Sequence, residues 1–326
     1  SGVKEVKVND STLMTNVEGN LYQAEVPIPE NGEIKITAVD CVGNRNYVGE
    51  AQIKGVKEDI TAPTVENINI TNDKSKLGET TYVKTVNGKI TVKANVTDTD
   101  SGVKEVKVND STLMTNVEEN LYQAEVPIPE NGEIKITAVD CVGNRYYVGE
   151  AQIKGVKEDI IAPTVSITIT TVDSGFIGTK EASMYIVNGL GQLAYRIEAS
   201  DDKSGVGHTY YYVGEKKDNI ECKDITKENS NGNSIEFPSP QNGIVYYIYA
   251  YSVDKVGNTS GIVVSDGTMI DTKAPEIKIS ETNYFINSDK RIEFSVIDTE
   301  NNLKTVEING NIVAASEDSK YSFDST

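Results

Sequence analysis

The chain has 326 residues, with 31 Lys+Arg against 50 Asp+Glu, a formal charge of −19 and one histidine. That charge repels phosphate, which excludes nucleic acid and anionic lipid as partners. A lone histidine rules out a multi-histidine metal site and leaves a Ser-His-Asp triad one centre, His208. No apolar run approaches the ~18–20 residues that span a bilayer, so direct membrane insertion is not expected.

In chain order, residues 1–60 return as 101–160 with two differences, Gly19 against Glu119 and Asn46 against Tyr146. A period of one hundred residues is too long for a solenoid unit of ~20–50 residues and suits a whole domain in tandem. Within one period the pattern predicts a strand over Tyr82–Val86, a tight turn at Asn87-Gly88 and a strand over Ile90–Val96, whose Ile90, Val92, Ala94 and Val96 share a face. Val103, Val106 and Val108 follow, then Leu121–Val126. A second Asn-Gly turn at 131–132 of the same kind leads into Ile134–Ala138. A hairpin closed at Gly143-Asn144 leads into a strand from Tyr147 to Ile153. Period-2 alternation rich in Val, Ile, Thr and Tyr, with no long 3.6-residue periodicity, predicts an all-β fold. About seven short strands per repeat point to tandem immunoglobulin-like β-sandwich domains arranged end to end.

Three segments mark repeat starts: Asp-Ile-Thr-Ala-Pro (59–63), Asp-Ile-Ile-Ala-Pro (159–163) and Asp-Thr-Lys-Ala-Pro (271–275). Three mark an internal loop: Asp-Thr-Asp-Ser-Gly (98–102), Asp-Asp-Lys-Ser-Gly (201–205) and Asp-Thr-Glu-Asn-Asn (298–302). Aligned on these, 1–58 is the C-terminal part of a repeat, 59–158 is complete, 159–270 is complete but divergent, and 271–326 is the N-terminal part of another. Half a sandwich exposes half a core, so the chain is expected to be an excerpt of a longer array. Completion by strand exchange with neighbouring chains is the rival reading, but both fragments carry the middle strands and would overlap.

The order Asp-x-x-Ala-Pro, Asp-(x)n-Ser-Gly-Val, then Ala-Val-Asp-x-Val-Gly-Asn resembles the bacterial Ig-like repeats of Gram-positive surface proteins. The final unit departs from it at Asn301-Asn302-Leu303. The resemblance implies an extracellular place on a bacterial cell surface or cell wall, as a stalk or adhesin segment or as a spacer in a secreted enzyme.

In such a topology the repeat start, the internal loop and the last hairpin share one end of the sandwich. That pole carries Glu58, Asp59, Asp98, Asp100, Asp140 and Asn144 in one repeat, and Glu158, Asp159, Asp201, Asp202, Asp254 and Asn258 in the next. Oxygen donors without nitrogen or sulfur suit calcium, the one cofactor the sequence suggests. The same residues also make turns, their side-chain oxygens accepting backbone N–H groups. Both readings stand at this point.

A second candidate lies in 159–270. Aligning Ser252-Val253-Asp254 on Ala138-Val139-Asp140 turns Tyr247, Tyr249 and Tyr251 outward on one strand, and His208, Tyr210 and Tyr212 outward on its neighbour. An exposed tyrosine face suits recognition of a host or cell-surface protein or glycan. The alternative is cladding, since cross-strand aromatic pairs stabilise sheets, or contact with a neighbouring repeat.

Cys41 and Cys141 occupy equivalent positions in different repeats and Cys222 has no counterpart, so no within-repeat disulfide is expected. A Cys222–His208 nucleophile pair and a Lys93–Asn95 cross-link lack supporting residues. The sequence therefore reads as a non-enzymatic extracellular stalk or adhesin segment, with 159–270 as the place for a ligand. The alternatives are a spacer or accessory module of a secreted polysaccharide-degrading enzyme, and a homophilic surface-layer or fibre subunit.

Overall fold

The computed structural model describes residues 2–46, 52–146, 152–172, 176–229, 235–279, 290–300, 302–315 and 320–325. Apart from two 3-10 turns, Leu190–Gln192 and Cys222–Asp224, the regular structure among these residues is β-strand, and none of it is a helix long and apolar enough to cross a membrane. The protein is all-β, built of tandem immunoglobulin-like sandwiches. The chain divides into two compact units that cut across the sequence repeats.

The first unit comprises Ser1–Ile70, Thr91–Val126 and Ile134–Ile153. It holds a sandwich with one sheet in the order Thr115–Glu118, Leu121–Val126, Ile90–Thr97, Thr64–Ile70. The other sheet runs Thr112–Leu113, Val103–Val108, Ile134–Asp140, Arg145–Tyr146, with Gln152–Ile153 also on Ile134–Asp140. Val65, Val92, Ala94 and Val96 from one sheet, and Val106, Val108, Ile136 and Ala138 from the other, are all buried, as period-2 alternation requires. Val103, Val106 and Val108 lie along one strand although the first step is three residues, because a β-bulge between Val103 and Glu105 absorbs the extra residue. The described residues of the segment 1–58 add a similar sheet, Thr12–Leu13, Val3–Val8, Ile34–Asp40 and Gln52–Ile53. Of the expected strand from Tyr147 to Ile153, residues 147–151 lie outside the described residues.

The second unit comprises Thr71–Ile90, Pro127–Glu133 and Lys154–Thr326. Asn87 and Gly88 take φ of 52° and 72°, and Val86 and Lys89 exchange backbone hydrogen bonds of 2.9 and 3.0 Å around them, the tight turn the sequence predicts. The second Asn-Gly pair differs. Only Gly132 has positive φ, at 65°, and its N–H closes a turn on Pro129 O at 2.8 Å. A Cβ there would lie 2.6 Å from Val156 O, so this glycine answers to a close backbone approach and not to a two-residue hairpin.

The core of this unit joins Ile197 to Tyr211, Val213, Ile248 and Ala250, with Val165, Ile167 and Ile169 against them. These come from the pair Thr164–Thr171 and Leu193–Ser200, and from the strands Val206–Gly214 and Val245–Asp254 of a larger sheet. A second cluster gathers Tyr185, Val187, Leu193 and Ile270. Val156–Glu158 runs parallel to Thr80–Val83, and the next N–H, that of Asp159, donates to Val83 O at 2.9 Å. Beyond Asp271, Glu276–Ile279, Lys290–Ile297 and Lys320–Ser325 form a further sheet.

Candidate functional site

Each acidic pole is assembled by three loops. In the first unit, Asp59, Asp98 and Asp140 bring carboxylate oxygens within 4.8 Å of one another, and in the second Asp159, Asp201 and Asp254 do the same. Asp140 and Asp159 are fully buried, and Asp254 is 3% exposed. No lysine or arginine among the described residues pairs with any of the six.

Every donor that reaches these carboxylates is neutral. Asp98 Oδ1 accepts from Gly102 N–H (2.6 Å), Asp140 Oδ1 from Asn144 N–H (2.8 Å), and Asp59 Oδ2 from Ser101 N–H (3.0 Å). The second unit repeats the scheme: Asp201 Oδ1 accepts from Gly205, Asp254 Oδ1 from Asn258 and Asp159 Oδ2 from Ser204, at 2.7, 2.8 and 3.0 Å. An asparagine amide ties each pole together. Asn144 Nδ2 donates to Asp59 O (2.9 Å) and Asp140 Oδ2 (2.8 Å); Asn258 Nδ2 donates to Asp159 O (3.1 Å) and Asp254 Oδ2 (2.7 Å). The hairpin part of this scheme is local, because Asn44 Nδ2 also donates to Asp40 Oδ2 at 2.8 Å in the 1–58 segment. The Ser101 hydroxyl, followed by the Thr61 and Ser101 N–H groups, holds the Asp59 carboxyl below the ordinary carboxylate value against a smaller opposing effect of burial.

Of the other expected pole residues, Glu58, Asp100 and Asp202 are exposed and stand outside the clusters. Glu158 is also outside, its Oε1 accepting from Thr85 Oγ1. A third cluster, Asp271, Asp298 and Glu300, was not singled out from the sequence, although its start and loop motifs match those of the other two. It differs in chemistry. Lys273 Nζ lies 3.3 Å from Glu300 Oε1, Asn242 Nδ2 donates to the same oxygen at 2.7 Å, and Asn302 Nδ2 donates to Asp271 Oδ2 at 2.7 Å. The Thr299 hydroxyl first, and then Lys273, keep the Glu300 carboxyl below its ordinary value.

The tyrosine strands pair in the expected register, with Tyr210 opposite Tyr251, Tyr212 opposite Tyr249 and Gly214 opposite Tyr247. The expected exposure does not follow. Tyr249 is 2% exposed and its hydroxyl accepts Lys217 N–H at 2.8 Å, because residues after Gly214 return over this face. Lys217 Nζ sits 4.0 Å from the centre of the Tyr212 ring, and Ile225 on the same segment is buried. Tyr210, Tyr212, Tyr247 and Tyr251 are half-buried, and of the six only His208 is exposed. The rings stack on one another, Tyr210 on Tyr251 at 5.2 Å and His208 on Tyr210 at 6.1 Å, so their faces are engaged among themselves. His208 Nδ1 meets Glu228 Oε1 at 2.7 Å. Burial, with Cys222 and Tyr210 adding to it, pushes the Tyr251 hydroxyl up. Cys222 and His208 do not meet as a hydrogen-bonded pair among the described residues.

No protein-family model matches the chain, and no curated protein does. Among solved structures, the chain is similar to the fibronectin(III)-like modules of Clostridium thermocellum CbhA, at 15% identity and a TM-score of 0.34 over 63% of this chain and 94% of that one. It is also similar to a chimeric titin Z1Z2 tandem carrying a GRGDS peptide from fibronectin, at 12% identity and a TM-score of 0.20 over 64% of this chain and 100% of that one.

Proposed function

We propose that this chain is a non-enzymatic spacer segment of a bacterial surface protein, in which β-sandwich repeats set a distance and carry no chemistry of their own. The junction at residues 156–159 supports this most directly. Val156–Glu158 is a strand paired in parallel with Thr80–Val83, and Asp159, fully buried, follows without an intervening linker. Lys84 Nζ donates to Gly257 O at 2.6 Å and Lys203 Nζ to Glu158 O at 3.2 Å, so the last hairpin and the internal loop of 159–270 are tied to segments that precede them. Such a junction suits a spacer, because a free linker would let the distance vary. Near-identity of two repeats fits a segment whose length matters more than its surface. An extracellular, wall-associated place belongs to the same reading through the resemblance of the repeat motifs. A ligand of the 159–270 repeat would be met by the half-exposed His208–Tyr210–Tyr251 edge, since Tyr249 is covered.

Backbone ¹⁵N relaxation of the full chain tests this. A rigid junction gives residues 74–83 and 193–254 one shared rotational correlation time. Separate, faster tumbling of the two sets would make the segment a flexible tether and sink the spacer reading.

A further inference from the structure

The poles at Asp159 and Asp59 combine two properties that turn chemistry leaves unexplained. Three carboxylates crowd within 4.8 Å, and in the second unit Asp159 and Asp254 are almost wholly out of water. Like charges so placed repel strongly, and neutral N–H donors orient carboxylates without cancelling their charge. The Asp271 cluster shows the usual remedy in Lys273, which the other two lack.

The second property is a buried hydroxyl without a partner. Ser204 is 0% exposed, its N–H lies on Asp159 Oδ2, and its Oγ makes no hydrogen bond. Buried polar atoms are nearly always satisfied, so an orphan beside a carboxylate cluster asks for a ligand. In the first unit the equivalent Ser101 Oγ is likewise buried, and its hydroxyl favours the charged form of Asp59.

We propose that a hard divalent cation of the calcium class binds between Asp159, Asp201 and Asp254 with Ser204 Oγ as a further oxygen donor, and likewise between Asp59, Asp98 and Asp140 beside Ser101. Calcium takes six to eight oxygens in a tolerant geometry, and carboxylates that are already hydrogen-bonded on one side keep lone pairs for it. Asp100, Asp202, Glu58 and Glu158 take no part. The proposal is independent of the spacer reading, because a flexible junction would leave both cages intact.

Isothermal titration of the chelator-treated full chain with calcium chloride tests it. The expected result is saturable binding of two ions per chain with an affinity in the range of extracellular calcium modules, about 0.1–1 mM, and a rise in melting temperature. The doubly substituted chain Asp98→Asn with Asp201→Asn keeps an Oδ1 to accept the Gly102 and Gly205 N–H groups, so its turns persist while binding falls at least about tenfold. The exposed pair Asp100→Asn with Asp202→Asn binds as the parent does. No saturable heat up to about 10 mM calcium overturns the proposal. So does binding that survives the first pair of substitutions, or that is lost with the second, since a chain of charge −19 then collects calcium on its surface at large.

Discussion

Asn258 Nδ2 donates to Asp159 O at 3.1 Å across a separation of 99 residues, and so fastens the start of one repeat to its last hairpin. The bond is buried, with Asn258 7% exposed. Asn258→Ala removes the amide that serves both Asp159 O and Asp254 Oδ2, and leaves two buried acceptors short of a donor. The expected loss is about 1–3 kcal/mol, against about 1 kcal/mol for Asn144→Ala at the more exposed counterpart. Urea midpoints at constant slope measure both. Equal, negligible losses would show that the hairpin N–H groups hold the poles alone.

Asp59 ionises below the ordinary carboxylate value of 3.8 because the Ser101 hydroxyl and two N–H groups favour its charged form. A depressed folded value means that its contribution to stability is present above the ordinary value and fades as pH falls through the folded one. Carboxyl-carbon NMR titration should find Asp59 below 3.8, and Ser101→Ala should move it upward. No movement in that variant would assign the shift to the backbone alone.

Tyr195 behaves in the opposite sense. Burial pushes its hydroxyl up to about 12 from an ordinary 10.0, while the hydroxyl of Thr268 pulls it down. A raised folded value gives stability that is complete below pH 10 and is lost as pH climbs toward 12. The remaining exposure of the ring screens the effect, which leaves on the order of 1–2 kcal/mol of alkaline destabilisation. Tyr195→Phe should abolish that limb of the stability profile at little cost at neutral pH, since neither Tyr195 Oη nor Thr268 Oγ1 has a well-formed hydrogen bond. An unchanged alkaline limb would place its origin elsewhere.

Two glycines of positive φ should respond differently to alanine. Gly88 has open space where a Cβ would go, so Gly88→Ala costs only left-handed strain, about 1 kcal/mol. At Gly132 the added carbon meets Val156 O at 2.6 Å, and the strand Val156–Glu158 must shift. Gly132→Ala should cost on the order of 2–3 kcal/mol. Thermal melts of the two variants rank them, and equal costs would remove the close approach as the reason for Gly132.

Tyr249→Phe deletes the acceptor of Lys217 N–H and should cost about 1 kcal/mol, whereas Tyr249→Ala empties a buried site and should cost about 3–5 kcal/mol. Amide exchange at Lys217 reports the first directly, since it should quicken in the phenylalanine variant. Unchanged exchange would show that the covering segment is held by other contacts.

The tyrosine strands show how far alternation carries. Periodicity two assigns a direction to each side chain, and it assigned Tyr211 inward and Tyr249 outward as the structure has them. It says nothing of what lies over the outward face. The return of the chain after Gly214 over that face depends on contacts such as Lys217 with Tyr249 that no local pattern announces. The acidic poles show the same limit. Loop order placed the Asp59, Asp98 and Asp140 loops together, because topology follows from strand count, but only the folded loops chose Asp98 over Asp100 by turning one carboxylate in and the other out.

By itself the sequence determined the repeat, the all-β class, the alternating cores and the tight turn at Asn87-Gly88, each of which is a short-range consequence of side-chain period and backbone sterics. The tertiary structure decided the parallel pairing of Val156–Glu158 with Thr80–Val83, the need for glycine at 132, the cover over Tyr249 and the orphaned Ser204 hydroxyl. These depend on which distant backbone arrives at a given point. Residues as distant in sequence as Val156 and Thr81 meet there through packing, and nothing in the neighbourhood of either residue encodes the meeting.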